Sequence, residues 1–162
     1  MATYNTSEDV KKSMRMLFLC ETASGTYQPI AYSTSDGLSF SKDNIDTSNK
    51  MDGDWASNLG GVKSAELSNE AFCAYKDGIT GEVALFTAFN EDKALFFKYA
   101  YANVTYDEDG LATEIEIDNT KVMYTGMMKI SSLELTSDNG DVCKYSVSGA
   151  SQGAVKQVSA SA

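Results

Sequence analysis

The sequence predicts a mainly β fold: a sandwich or barrel of about eight strands with one flanking α-helix. Three observations carry this. Strand-length apolar or alternating runs recur along the chain, punctuated by Gly, Asp, Asn and Ser turn signals. Only one stretch has helical periodicity. No internal repeat or shift in composition marks a second domain, and 162 residues suffice for one real hydrophobic core.

The elements follow in order. Residues 1–13 are polar, end in Lys11-Lys12 and read as an N-terminal arm. Met14–Cys20 is the first strand. Thr26–Ser33 and Leu38–Ser41 are short strands divided by an Asp36-Gly37 turn. Residues 43–62 form a long polar excursion. Val62–Ser68 alternates weakly, as in a strand with protein on both faces. A helix is expected from Gly81 to Glu91, with Thr80 as N-cap, Glu82 in the first turn and Lys93 after the end. Val83, Phe86 and the neighbouring Leu85 and Phe89 lay an apolar stripe along it, read as core packing.

Ala94–Ala102 is rich in aromatics (Phe96, Phe97, Tyr99, Tyr101) and reads as a central strand. Asp107-Glu108-Asp109-Gly110 is a turn. Thr113–Asp118 alternates, with Ile115 and Ile117 inward and Glu114 and Glu116 outward. Lys121–Met128 and Lys129–Thr136 continue the β pattern. A closing hairpin is expected around a three-residue loop, Asp138–Gly140, pairing Leu135 with Cys143 and Leu133 with Tyr145. That register keeps both apolar sets on one face, and Gly140 supplies the left-handed residue. The domain spans 14–150, and residues 151–162 read as a second, C-terminal arm.

Composition narrows the function. There is no histidine, which removes the commonest general base and metal ligand. Thirteen basic and 23 acidic residues give a net charge of −10, a surface that repels nucleic acid rather than gripping phosphates. Cys20, Cys73 and Cys143 lack metal-site spacing and read as buried, reduced thiols. No apolar run approaches the roughly 20 residues of a membrane span. The N-terminus lacks the pattern of a secretory signal, so the product is expected in the cytosol.

No enzyme signature is present: no G-x-S-x-G elbow, Walker loop or G-x-G-x-x-G. Asp52 and Asp54 could pose as a carboxylate pair for glycoside hydrolysis, but they sit in a glycine-bearing loop that reads as a solvated turn. The turn at Asp107 lacks the remaining ligands of a calcium loop. No catalytic residue, metal or cofactor is therefore expected.

The excursion is the unusual feature. It holds the only tryptophan, Trp55, in a polar, turn-rich setting. Long loops in compact domains are usually functional or disordered, and a disordered one has little reason to carry a large aromatic. Asp46, Thr47, Ser48, Asn49 and Lys50 read as its docking strand, with Trp55 and Leu59 as apolar anchors.

These residues, followed by Gly53, Gly61 and Lys63-Ser64, resemble the central signature of the major tail proteins (tail tube proteins) of tailed bacteriophages, especially siphophage-type. Tyr124-Thr125-Gly126, Lys129-Ile130-Ser131-Ser132 and the ending Tyr145-Ser146-Val147-Ser148-Gly149 also resemble that family, so the likeness spans about residues 36–150. Gly60-Gly61 stands where a single glycine is more typical. The resemblance implies a structural virion protein, present in the tail and in host cytoplasm during assembly. It implies hexameric rings whose sheets join into one inner barrel and which stack into a tube, with loop 43–62 and both arms bridging copies. Implied partners are further copies of itself, tape-measure, terminator and distal tail proteins at the tube ends, and DNA in non-specific transit; no membrane is involved. An acidic lumen wall would let DNA slide, and Glu114 and Glu116 are candidates for it. Two other readings stay open: the inner tube of a contractile tail or phage-like particle, and a β-sandwich module binding carbohydrate or a receptor.

Overall fold

A computed structural model describes residues 16–74 and 80–159. Its elements are β1 (Met16–Ala23), β2 (Thr26–Pro29), β3 (Ser33–Asp46), β4 (Asn58–Phe72), α1 (Glu82–Asn90), β5 (Leu95–Tyr106), β6 (Ala112–Ile117), β7 (Met123–Thr136) and β8 (Lys144–Val158). All strand pairs are antiparallel. The eight strands form one sheet in the order β2-β1-β5-β7-β8-β4-β3, with β6 added to β5. The sheet does not close, so β2 and β3 are edges among the described residues. The expected N-terminal arm, 1–13, and the start of the first strand at Met14 lie outside those residues.

The curled sheet holds two clusters. Phe18, Cys20, Leu67, Phe97, Met128, Ile130, Tyr145 and Val147 pack with Leu85 and Ala88 of the helix. Leu19, Ala100 and Met123 form a smaller cluster, joined by Leu17, Tyr27 and Ile117. In β1, Phe18 and Cys20 serve the first cluster while Leu17 and Leu19 serve the second, as the period-2 pleat requires. The aromatic strand is central as expected: β5 pairs with β1, β6 and β7, and Phe97, Ala100 and Ala102 are wholly buried.

Several sequence expectations need correction. Asp36-Gly37 is not a turn but the interior of β3. The Asn69 amide and the Ser33 hydroxyl both donate to the Asp36 carboxylate, which satisfies it within the ladder. A side chain at Gly37 would bring its Cβ to 2.7 Å from Ser68 Oγ, so the glycine serves close packing. The chain reverses at Ala31-Tyr32 instead, where Tyr32 adopts a left-handed φ of 56°. In β4 only one face is covered, by Ala65, Leu67, Asn69 and Ala71; Ser64, Glu66, Ser68 and Glu70 are exposed.

The helix is present, but its N-cap is Gly81, with no side-chain cap bond. Thr80 is held one step earlier, where its carbonyl accepts from Ala31 N at 2.9 Å. Of the expected core stripe only Leu85 turns inward, beside Ala88; Val83, Phe86 and Phe89 are exposed. Ile115 is also exposed rather than inward, because β6 pairs only with β5 and nothing covers its face among the described residues. Lys121–Met128 and Lys129–Thr136 merge into the single strand β7, which absorbs irregularities at Thr125/Met127 and Ile130/Ser132.

The closing hairpin keeps the expected facing but slips by two residues. Leu135 pairs with Tyr145 and Leu133 with Val147, leaving Ser137–Cys143 as the connection. Burial fixes the parity of a register and is blind to a slip of two. Gly140 does take positive φ, 84°, within a turn closed by Asp141 N to Asp138 O at 3.1 Å. The described part of the expected C-terminal arm is strand: β8 continues through Val158 against β7.

Candidate assembly surface

The excursion at 43–62 is a β-hairpin arm. β3 pairs with β4 out to Asp46 and Asn58, but β8 accompanies β4 only over Glu66–Phe72. Beyond Ala65, whose amide donates to Ser151 Oγ at 3.1 Å, the two strands run on without a third among the described residues. The β3–β4 register shifts at a bulge between Lys42 and Asn44. There a Cβ on Gly61 would lie 3.0 Å from Asp43 Cβ and 3.1 Å from its carbonyl oxygen, so the bulge needs glycine at this position.

The tip, residues 47–57, is ordered by its own polar groups. Asp46 Oδ1 accepts from Ser48 N at 2.8 Å, and the Ser48 hydroxyl and amide hold that carboxyl below the usual carboxylate range. Thr47 N donates to Ser57 O at 2.8 Å and Ser57 N donates back to Ser48 Oγ at 3.0 Å. Asn49 donates from its amide and its side chain to Asp52 Oδ2, while its own Oδ1 accepts from Met51 N. Trp55 N reaches Asp52 O at 3.4 Å. Gly53 supplies the left-handed turn residue, φ 65°. Asp52 is thereby a loop staple, in keeping with the solvated-turn reading.

The polar and apolar parts of the motif thus have different places. Asp46, Thr47, Ser48 and Asn49 spend their polar groups on hydrogen bonds within the tip, and all but the half-buried Thr47 are exposed, as is Lys50. The apolar groups face solvent: Trp55 is 84% exposed and Met51 94%. Ile45 and Leu59, directly opposite each other, and Val62 are exposed too. A two-stranded ribbon is marginal in water at best, and contiguous apolar surface marks a contact site.

A second apolar surface lies on the helix. Glu82–Asn90 is apolar nearly all round, so packing Leu85 and Ala88 inward leaves Val83, Phe86 and Phe89 outside. Phe86 and Phe89 sit with ring centroids 6.4 Å apart, and Phe96 of β5 is likewise exposed. Sequence reasoning missed this face because it assigned the helix one partner. The signal was there: a helix too apolar for one.

Glu114 and Glu116 sit on the β5–β6 ribbon opposite Thr105 and Asn103, and both are exposed. The turn at the end of that ribbon carries Asp107, Glu108 and Asp109; Asp107 Oδ1 accepts from Asp109 N and Leu111 N, so it closes the turn. The acidic residues of the ribbon lie in its turn and on β6, while the paired β5 residues 102–106 carry none. No described helix is long and apolar enough to cross a membrane.

Residues 10–95 match the family model described as phage tail tube protein. Among solved structures, a chain of the virion of a native gene transfer agent particle superposes with TM-score 0.70 at 18% identity, covering 93% of this chain and all of that one. A chain from the tail of an empty gene transfer agent particle, refined with C6 symmetry, gives 0.69 at 21%, with the same coverage. The SPP1 tail tube gives 0.64 at 12%, covering 90% of this chain and 77% of that one. At these identities the likeness is one of fold. No curated protein matches at a significant level.

Proposed function

This chain belongs to the phage tail tube protein family and is a structural subunit of the virion tail, and from that premise we propose how it assembles and what its surfaces do. Copies close into hexameric rings, and rings stack into the tube. Closed rings need heterologous contacts, in which two different patches of one subunit meet their complements on the next. The chain offers two such patches, the β3–β4 arm and the helix face with Val83, Phe86 and Phe89. It also offers two open sheet edges, β2 and β3, through which sheets of neighbouring copies can join.

The observation that carries this reading is the arm. Its tip is prefolded by internal hydrogen bonds while Trp55, Met51 and Leu59 stand in solvent. Trp55 and Leu59 anchor it on a neighbouring subunit, and Asp46–Lys50 present them. The N-terminal segment 1–13 adds to the contacts between copies. Glu114 and Glu116 line the lumen, where the acidic wall keeps DNA from sticking during ejection. The subunit has no catalytic role and no cofactor. Tape-measure, terminator and distal tail proteins meet it at the tube ends.

The gene transfer agent likeness favours a second setting for the same subunit, the tube of a phage-like particle. Both settings share one test. Purified protein, concentrated stepwise and imaged by negative stain, should form six-fold rings or tubes. A strictly monomeric protein at high concentration would overturn the proposal.

A further inference from the structure

Cys73 is the residue after the end of β4, and Cys143 the residue before the start of β8. The β4–β8 ladder ends at Phe72 opposite Lys144, so the two cysteines occupy the next opposed position. Cys73 N donates to Cys143 O at 3.0 Å, and the sulfurs touch at 2.8 Å. Opposed residues of an antiparallel pair have Cα atoms about 4.5–5.5 Å apart. A disulfide needs about 4.4–6.8 Å, so the backbone already has bridging geometry. Both residues are partly exposed, within reach of a small oxidant, whereas Cys20 is buried.

We propose that Cys73 and Cys143 are a disulfide-forming pair that staples the end of β4 to the β7–β8 connection when the protein meets oxidising surroundings. The inference is independent of how the subunit assembles. The oxidant is a small-molecule disulfide. Cys143, whose sulfur accepts a hydrogen bond from Ser137 Oγ at 3.3 Å, loses its proton to solvent and attacks one sulfur of the oxidant, releasing one thiolate. Cys73 then loses its proton and attacks Cys143 Sγ, releasing the second thiolate. The protein gives up two electrons and two protons; the oxidant becomes two thiols. Burial, then the neighbouring Cys143 and the Glu82 carboxylate, push the Cys73 thiol well up, which suits it to the second, intramolecular step rather than the first.

The bridge joins residues 70 apart in sequence, a long loop to close in the unfolded chain. A loop of that length should raise Tm by about 10 °C. The full chain is equilibrated with oxidised or reduced glutathione and measured by intact mass, peptide mapping and thermal unfolding. Oxidation should remove two hydrogen masses, link the Cys73 and Cys143 peptides with Cys20 free, and raise Tm reversibly. Cys143→Ser should abolish both changes while keeping the reduced Tm near that of the parent chain. Full alkylation of all three thiols after oxidation, a bridge to Cys20 or to another chain, or a bridged protein with unchanged Tm would overturn the proposal. Should the variant fail to fold, the mass and peptide map of the parent chain still decide.

Discussion

Trp55→Ala separates a contact between subunits from a contribution to the subunit itself. Trp55 is 84% exposed, so within one chain its indole has little packing to lose. Its removal should shift the monomer by no more than about 0.5 kcal/mol, as for an ordinary surface substitution. At this chain length that is about 1–2 °C in Tm. If the arm docks on a neighbour, most of the roughly 200 Å² of a tryptophan side chain becomes buried there. At about 25 cal/mol per Å², and allowing for the surface alanine keeps, the loss is roughly 2–4 kcal/mol, the range of an interfacial hot spot. Each 1.4 kcal/mol is about tenfold, so the concentration needed for assembly should rise from about thirtyfold to several-hundredfold. Sedimentation or light scattering against concentration gives the assembly threshold, and thermal unfolding of dilute protein gives the monomer's stability. A Tm drop that accounts for the assembly loss would show Trp55 to be part of the subunit's own core. An unchanged threshold would remove the arm from the interface.

Three further outcomes follow from the geometry. Leu85→Ala, at a helix position 1% exposed, should cost about 2–5 kcal/mol of subunit stability, whereas Phe86→Ser, one residue on but facing solvent, should leave Tm nearly unchanged and weaken assembly; thermal unfolding paired with light scattering distinguishes them. Burial holds the Asp36 carboxyl above its ordinary value of 3.8, against the opposing hydrogen bonds from Asn69 and Ser33. A carboxyl raised by folding contributes its full stability below the unfolded value and loses it as pH rises through the folded one. Relative to Asp36→Asn, the parent chain should therefore gain in Tm as pH falls through the window just above 3.8, and parallel Tm–pH profiles would contradict this. Replacing Glu114 and Glu116 by Gln should leave tubes intact but make them retain DNA at low salt, with retention fading as salt is raised, in a filter-binding or co-sedimentation assay. Unchanged passage would place both carboxylates off the lumen.

The sequence made the strand succession legible because alternation reports burial directly, and it located β5 as central from its density of aromatic residues, of which Phe97 is wholly buried. It failed where one physical signal has two readings. Asp36-Gly37 is a turn pair only when nothing else satisfies the aspartate, and Asn69, 33 residues away, does. Val83, Phe86 and Phe89 are spaced as a core stripe, but Leu85 and Ala88 form a stripe of their own one step round, and only the sheet decides which turns inward. The closing hairpin was right in parity and wrong by two residues, since burial leaves a slip of two open; in the observed register Cys143 lines up with Cys73 of β4, a contact invisible from the hairpin alone. Of the proposed assembly surface, Trp55 and Leu59 could be singled out from composition. Ile45 and Val62 could not, since an apolar residue in a strand is ordinarily core.

The arm also shows why a polar motif should surround a lone tryptophan. A loop that became ordered only on docking would lose about 1–2 kcal/mol per fixed residue at that moment, which over residues 47–57 would outweigh anything one indole could return. Here Asp46, Ser48, Asn49 and Asp52 satisfy the tip's amides in the free chain, so that entropy is already spent during folding. On the proposed docking, the polar residues would add little contact of their own, and Trp55, Met51 and Leu59 would meet a neighbour preorganised. Substituting Asp52 by Ala should therefore weaken assembly while leaving every apolar anchor in place, because it releases the Asn49 amide and side chain and with them the geometry of the tip.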